Sequence, residues 1–218
     1  MQQTLHCAGG EHGAAFRISL VILLDVVKIV EVVHHQALRL RDGLVGSVGQ
    51  PIDAFELRFE DLEREGKILC WGVSNFDADD LEEAYGIAGP AGEKIACDQV
   101  LYHLKQRAIE HAVLPSRIGH RLAVTAYSPF GQDDFPGPQT QGGRVLAEIA
   151  EAHDATPRQI ALAFLVRHPA VFAIPKASNP QHTAENAGAG DLVLSDEEIA
   201  SIDRVFPRGP RPRTPPML

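Results

Sequence analysis

From Pro51 onward the apolar positions fall into a repeating order. Ile52, Phe55, Phe59 and Leu62 are spaced as one face of a helix that ends near Gly66. A short apolar run, "ILCWGV", follows and stops at the polar pair Ser74-Asn75. "DADDLEEAYGIAG" then predicts a helix with Asp77 as N-cap and acidic residues in its first turn, where they complement the helix dipole. The alternation goes on: "KIACDQVLY" is a strand, "KQRAIEHAVLPSRIGH" is helical in part and interrupted at Pro115, and "LAVTAYS" is a strand. "PFGQDDFPGPQTQGG" is a Gly/Pro-rich loop, and "RVLAEIAEAH" and "TPRQIALAFLVRH" are helices. The second of these has Thr156 as N-cap, Pro157 at N1 and Gln159 at N3, a capping box. "VFAIP" is a strand, Asn179-Pro180 opens another helix, and Ser195 with Glu198 makes a second capping box at the start of the last one.

Strands followed by helices, repeatedly, predict βα units on a parallel sheet. Four strands are expected, at about residues 68–73, 95–101, 122–127 and 171–174. Each carboxyl end carries polar residues: Ser74-Asn75; Gln99 with Tyr102 and His103; Tyr127-Ser128; Lys176-Ala177-Ser178. In parallel βα folds a ligand lies at that edge. A Ser-Asn pair taken alone is more often a turn or cap; beside three other polar strand ends the binding reading is the better one.

Residues 1–50 carry no such order. The apolar run from Ile18 to Val33 holds Asp25, Lys28 and Glu31 at every third position. It is shorter than the ~20 clean apolar residues of a membrane span, so a buried helix or strand is expected. No small-residue cleavage site follows it, so it does not resemble a signal peptide. Glu31-x-x-His34 has a metal-like spacing, but one pair is far short of a site, and a solvated helix face explains it. Residues 207–218, "PRGPRPRTPPML", read as an extended Pro/Arg-rich tail.

Composition narrows the class. The chain has 218 residues, 44% of them apolar and 22% charged, which suits an ordinary soluble domain with its own core. A net charge of −9 argues against a general nucleic-acid surface and for a soluble small-molecule protein; with the apolar run too short to span, no membrane partner is expected. Cys7, Cys70 and Cys97 are odd in number and far apart, which gives no disulfide framework or metal motif and points to a reducing cytoplasm.

Five segments in order, "GKILCWGVSNF", "QVLYH", "RLAVTAYSPFG", "TPRQIALAFLVRHPAVFAIPKASNPQHTAEN" and "LVLSDEEIASID", resemble the carboxyl-terminal part of the aldo-keto reductases, from about Pro51 to Asp203. The resemblance implies an α/β fold, a partial (β/α)8 TIM barrel holding the family's fifth to eighth strands. Residues 51–206 would be the half barrel, 1–50 an atypical segment and 207–218 the tail. It implies a cofactor, NADP, and a small-molecule carbonyl substrate. Ser74 and Asn75, with Gln99, correspond to the residues that hydrogen-bond the nicotinamide carboxamide. An amide needs both donors and acceptors, and these side chains supply both. Tyr127 corresponds to the ring stacked on the nicotinamide. Ser128, Phe130 and Gly131 correspond to the loop along the pyrophosphate. Lys176, Ser178 and Asn179 correspond to the adenosine-phosphate clamp, and Glu185 and Asn186 to the adenine contacts. His182 stands where many members have an arginine that grips the 2′-phosphate. That departure leaves the choice of NADPH over NADH open, while Lys176 favours NADPH.

The family's Asp, Tyr, Lys and His catalytic set lies in the first half of the barrel. Its segments, "D-T-A-x-x-Y-G" and "L-L-H-W", are not found in residues 1–50. Tyr85, Tyr102 and Tyr127, the three tyrosines, fall at positions the family does not use as acid. Asp25, Lys28, His34 and His35 are the right types in the wrong context. The expectation is an NAD(P)H-dependent oxidoreductase chain that is truncated with respect to its chemistry. The family sequence would resume at "GSVGQPIDAF" after a shifted reading frame or misplaced start. The alternative is a catalytically inactive nucleotide-binding or assembly module, self-associating through exposed sheet edges.

Overall fold

The computed structural model describes residues 4–5, 16–17, 70–88, 95–213 and 215–217. The predicted helix over 52–62 and the candidate residues Asp25, Lys28, Glu31, His34 and His35 lie outside them. Two short strands, β1 (Thr4–Leu5) and β2 (Phe16–Arg17), pair antiparallel with Thr4 opposite Arg17. Four more strands follow, β3 (Trp71–Ser74), β4 (Ile95–Leu101), β5 (Ala123–Tyr127) and β6 (Val171–Ala173), with β3 paired to β4 and β5 to β6. The helices between and after them are α1 (Ala78–Ala88), α2 (Val113–Gly119), α3 (Gln141–Ala152), α4 (Pro157–Leu165), α5 (Pro180–Gly188) and α6 (Asp196–Val205). The four expected strands are all present, and the α/β class with a parallel sheet holds.

The chain divides into two compact units. The first comprises residues 100–115 and 124–218. Within it β5 and β6 pair parallel, Val124 opposite Val171. Its core gathers Val100, Val124, Leu146, Ile160, Phe164, Leu165, Val171 and Ile202. The α3 and α4 helices present their apolar stripes to this core and their charged positions to water. The second unit holds the described residues of 2–99 and 116–123. Within it β3 and β4 pair parallel, with Trp71 opposite Ile95 and Ser74 opposite Gln99, and the register shifts between Trp71 and Val73. Its smaller core is Trp71, Val73, Leu81, Ala84, Ile95 and Leu122. Gly72 sits at a close approach, because a Cβ there would lie 2.7 Å from Cys97 Sγ.

The predicted caps are all made. Thr156 and Gln159 close a reciprocal capping box on α4, and Ser195 and Glu198 do so on α6. Asp77 Oδ1 accepts from Asp80 N at 2.8 Å while Asp80 Oδ2 accepts from Asp77 N at 2.9 Å, an all-aspartate version of the same device. Two sequence expectations need correction. Pro115 does not interrupt a helix; it is the third residue of α2, where its missing N–H would have had no intrahelical partner. The Gly/Pro-rich loop ends earlier than expected, because Thr140 caps α3 and Gly142 and Gly143 are helical. Both glycines are there for space: a Cβ at Gly142 would strike the Phe206 ring, and one at Gly143 the Gly137 carbonyl.

Candidate functional site

In the second unit, the end of β3 and the end of β4 bring three predicted residues together. All four residues of β3 are buried, and Ser74 and Asn75 remain so at 7% and 5% exposure. Ser74 Oγ donates to the Gln99 carbonyl at 3.0 Å, and the Asn75 N–H donates to the same oxygen at 2.9 Å. Asn75 adopts φ 61°, the left-handed region that asparagine tolerates better than most residues. The chain therefore turns sharply out of the strand at this residue.

Beneath this turn lie two residues that the sequence reading did not single out. Arg117, on α2, and Asp98, on β4, are both 0% exposed. Arg117 donates Nε and Nη2 to Asp98 Oδ2 at 2.9 and 2.6 Å, and Nη2 also reaches the carbonyls of Phe76 and Asp77 at 2.7 and 3.0 Å. Asp98 Oδ1 has no hydrogen-bond partner among the described residues. Burial pushes the Asp98 carboxyl up; the charge and hydrogen bonds of Arg117 oppose it without cancelling it, and the group sits at about 6. The available sequence signal was an aspartate, beside Gln99, inside a strand whose other positions are apolar, "IACDQVL".

In the first unit, Tyr127 ends β5 half-buried, and its carbonyl accepts from Tyr102 N at 3.4 Å. Ser128 (φ 49°) and Gly131 (φ 70°) form a tight turn closed by Gly131 N–H to the Ser128 carbonyl at 2.8 Å. Glycine is required at 131 twice over: the backbone is left-handed, and a Cβ would press on the His103 ring at 3.1 Å. Phe130 meets Phe135 edge-to-face at 5.8 Å, and the Arg158 guanidinium lies 4.8 and 4.6 Å from the two rings. Lys176, Ser178, Asn179 and His182 are exposed, and Glu185 and Asn186 are half-buried. Asn179 Oδ1 accepts from Gln181 N at 2.9 Å and caps α5, and Glu185 accepts from Gln181 Nε2 at 3.1 Å.

Tyr102 does not extend this polar edge as expected. Tyr102 is 0% exposed; its hydroxyl donates to Glu110 Oε1 at 2.6 Å and accepts from Arg167 at 3.0 Å. Arg107 adds Nε and Nη2 to the two Glu110 oxygens at 2.9 and 2.7 Å and pairs with Asp203 at 2.7 Å. Burial alone would raise the Glu110 carboxyl, but hydrogen bonds from Arg107 and Tyr102 and the charges of Arg107 and Arg167 hold it at about 2. Burial moves the Tyr102 hydroxyl upward, and it does the same to Tyr85. Neither hydroxyl is prepared to give up a proton near neutrality. Among the described residues, no group of three His, Cys, Asp or Glu side chains is placed to hold a metal ion, and no helix is long and apolar enough to cross a membrane.

Parallel βα units with amide- and hydroxyl-bearing side chains at strand carboxyl ends define an α/β protein of the barrel class. The Aldo/keto reductase family model matches residues 50–206. The chain is 39% identical over 148 residues to the methylglyoxal reductase YeaE of Escherichia coli, covering 68% of this chain and 51% of that protein. It is 33% identical over 144 residues to the glyoxal reductase of Bacillus subtilis, covering 66% and 48%. A crystal structure of an aldo/keto reductase from Klebsiella pneumoniae with NADP and acetate matches at a TM-score of 0.71 and 40% identity, covering 79% of this chain and 60% of that one. One in complex with NADPH, from the same organism, matches at 0.65 and 41%, covering 72% and 55%. This chain belongs to the aldo/keto reductase family, and it spans about half the length of the curated relatives it matches.

Proposed function

We propose that this chain is the cofactor-holding part of a carbonyl reductase, and that by itself it binds NADP(H) without reducing a substrate. The observation that carries the reading is the meeting of Ser74, Asn75 and Gln99 on one carbonyl oxygen, in a chain 41% identical to a reductase crystallised with NADPH. These three would hold the carboxamide, and Tyr127 would stack on the ring. Ser128, Phe130 and Gly131 would follow the pyrophosphate. Lys176, Ser178 and Asn179 would take the adenosine phosphate at the start of α5, where free N–H groups and a positive dipole suit an anion. His182, Glu185 and Asn186 would complete the adenosine end. When bound, the cofactor supplies hydride; this chain's residues hold and orient it.

The proton is the missing half of the chemistry. Tyr102 is committed to Glu110 and Arg167, and Tyr85 is stacked on His120 at a centroid distance of 4.7 Å. Arg167 draws the Tyr102 hydroxyl down and Arg117 the Tyr85 hydroxyl, but burial outweighs both. The relatives named for methylglyoxal and glyoxal suggest small oxoaldehydes as the substrate class of the complete reductase. Titration with NADPH, followed by the fluorescence of Trp71, the single tryptophan, is expected to saturate. Adding methylglyoxal is expected to give no loss of NADPH absorbance. Steady turnover would overturn the proposal that chemistry is absent, and a flat titration would overturn cofactor binding. A second reading, an assembly module that pairs through its sheet edges, rests on the missing catalytic motifs; light scattering showing a monomer removes it.

A further inference from the structure

Arg117 is an expensive residue to bury. Removing a guanidinium from water is costly, and a buried pair recovers that cost only with good geometry. A pair built for stability alone would use the fork-to-fork arrangement, two parallel N–H···O bonds to two oxygens. Arg117 does not. Nε and Nη2 both converge on Asp98 Oδ2, and Oδ1 is left without a partner among the described residues. The reach that this frees goes to the Phe76 and Asp77 carbonyls. Nη2 thus faces three acceptors with two N–H groups, so one hydrogen is shared.

The two ends of this bridge are informative. One end is Asp98, immediately before Gln99 on β4. The other is the pair of carbonyls immediately after Asn75, whose backbone is left-handed at φ 61°. Gln99 and the Ser74-Asn75 turn are themselves joined by two hydrogen bonds to one oxygen. Arg117 therefore ties the same two segments together a second time, one residue earlier on β4 and one to two residues later after the turn. Nη1 to Ser116 Oγ at 3.2 Å steadies the guanidinium from its own helix.

We propose that Arg117, balanced by Asp98, is the positioning residue that holds Ser74, Asn75 and Gln99 in the arrangement that grips a nicotinamide carboxamide. This rests on the cofactor reading above. Without the tie, the turn after Asn75 relaxes toward ordinary backbone angles, and the three polar groups no longer converge. The adenosine end of the cofactor, assigned to Lys176, Ser178 and Asn179, is independent of it.

The test uses the full chain and compares two ligands, NADPH and adenosine 2′,5′-bisphosphate, which lacks the nicotinamide. Arg117→Met is expected to weaken NADPH about tenfold or more while leaving the bisphosphate within about twofold of its original affinity. Amide exchange is expected to rise at Asn75, whose N–H is held by Gln99, and to stay slow within α3. Arg117→Lys keeps the charge but reaches fewer acceptors, and a smaller effect in the same direction is expected; it carries the test if the methionine variant does not fold. If both ligands weaken together, or neither does, the positioning role is overturned while cofactor binding stands. If the unaltered chain binds neither ligand, the cofactor reading fails and this inference falls with it.

Discussion

Two buried carboxylates, one in each unit, are handled in opposite ways. Glu110 collects hydrogen bonds on both oxygens, from Arg107, Tyr102 and Arg167. Its surroundings favour the charge so strongly that its proton is lost at about 2. Asp98 takes both Arg117 hydrogen bonds on one oxygen, the Phe76 backbone adds a weaker support, and burial still holds its proton up to about 6. Both lie in ion pairs with arginine side chains that are themselves buried. The difference is completeness. A buried charge is tolerated when every lone pair is used and is costly when one is not. The first arrangement locks a core; the second spends its arginine on backbone carbonyls at a turn.

The largest expected effect comes from breaking the complete network. Glu110→Ala leaves Arg107 and the Tyr102 hydroxyl buried, and Arg167 half-buried, around an empty position, and it should cost about 3–5 kcal/mol in urea denaturation. Asp203 still pairs with Arg107 in that variant, so a loss near the lower end is expected. A loss under about 1 kcal/mol would mean that the network is not what holds this core.

The pH dependence sharpens the contrast because the two groups carry opposite signs. Glu110 is depressed, so its contribution is complete above about 4.5 and is lost as pH falls toward 2. Asp98 is raised, so folding holds a proton that the unfolded chain gives up near 4. Its ionisation then costs stability as pH rises from about 4 to about 6, and the whole cost is present above that. The stability difference between the unaltered protein and Asp98→Asn should therefore change between pH 4 and 6 and be flat above about 7. The same comparison with Glu110→Gln should change only below about 4.5. Identical profiles for the two variants would erase the distinction.

The smallest effects test single bonds. Tyr102→Phe removes one of several donors to Glu110 and should cost about 1 kcal/mol. Ser74→Ala removes one of two hydrogen bonds on the Gln99 carbonyl, and a similar cost in stability is expected. The two should part in binding: Ser74→Ala weakens NADPH, and Tyr102→Phe leaves it unchanged. Loss of NADPH affinity in Tyr102→Phe would place that network in the binding machinery.

Much of this was legible in the residue order, and the reason is distance along the chain. A cap is closed within three residues, so Thr156-Gln159, Ser195-Glu198 and Asp77-Asp80 could be read from adjacent letters. The strands were legible because a buried parallel strand is a short, nearly unbroken apolar run. Family membership followed from collinear segments, each too short to count alone. Tyr102 was misjudged because a tyrosine after a strand looks the same whether its hydroxyl faces a ligand or a buried glutamate eight residues on. Gly142 looked like loop because nothing local announces Phe206 overhead.

What the sequence determined by itself, then, is the succession of strands, helices and caps, and the polar letters at the strand ends. These depend on contacts a few residues apart and on the period of apolar positions. Only the tertiary structure decided which polar residues meet. Asp98 and Arg117 are 19 positions apart, and neither carries a local pattern that names the other. Their pairing and the hold it takes on the turn after Asn75 exist because folding buries both charges in one place. Burial is what turns two ordinary ionisable side chains into a tie.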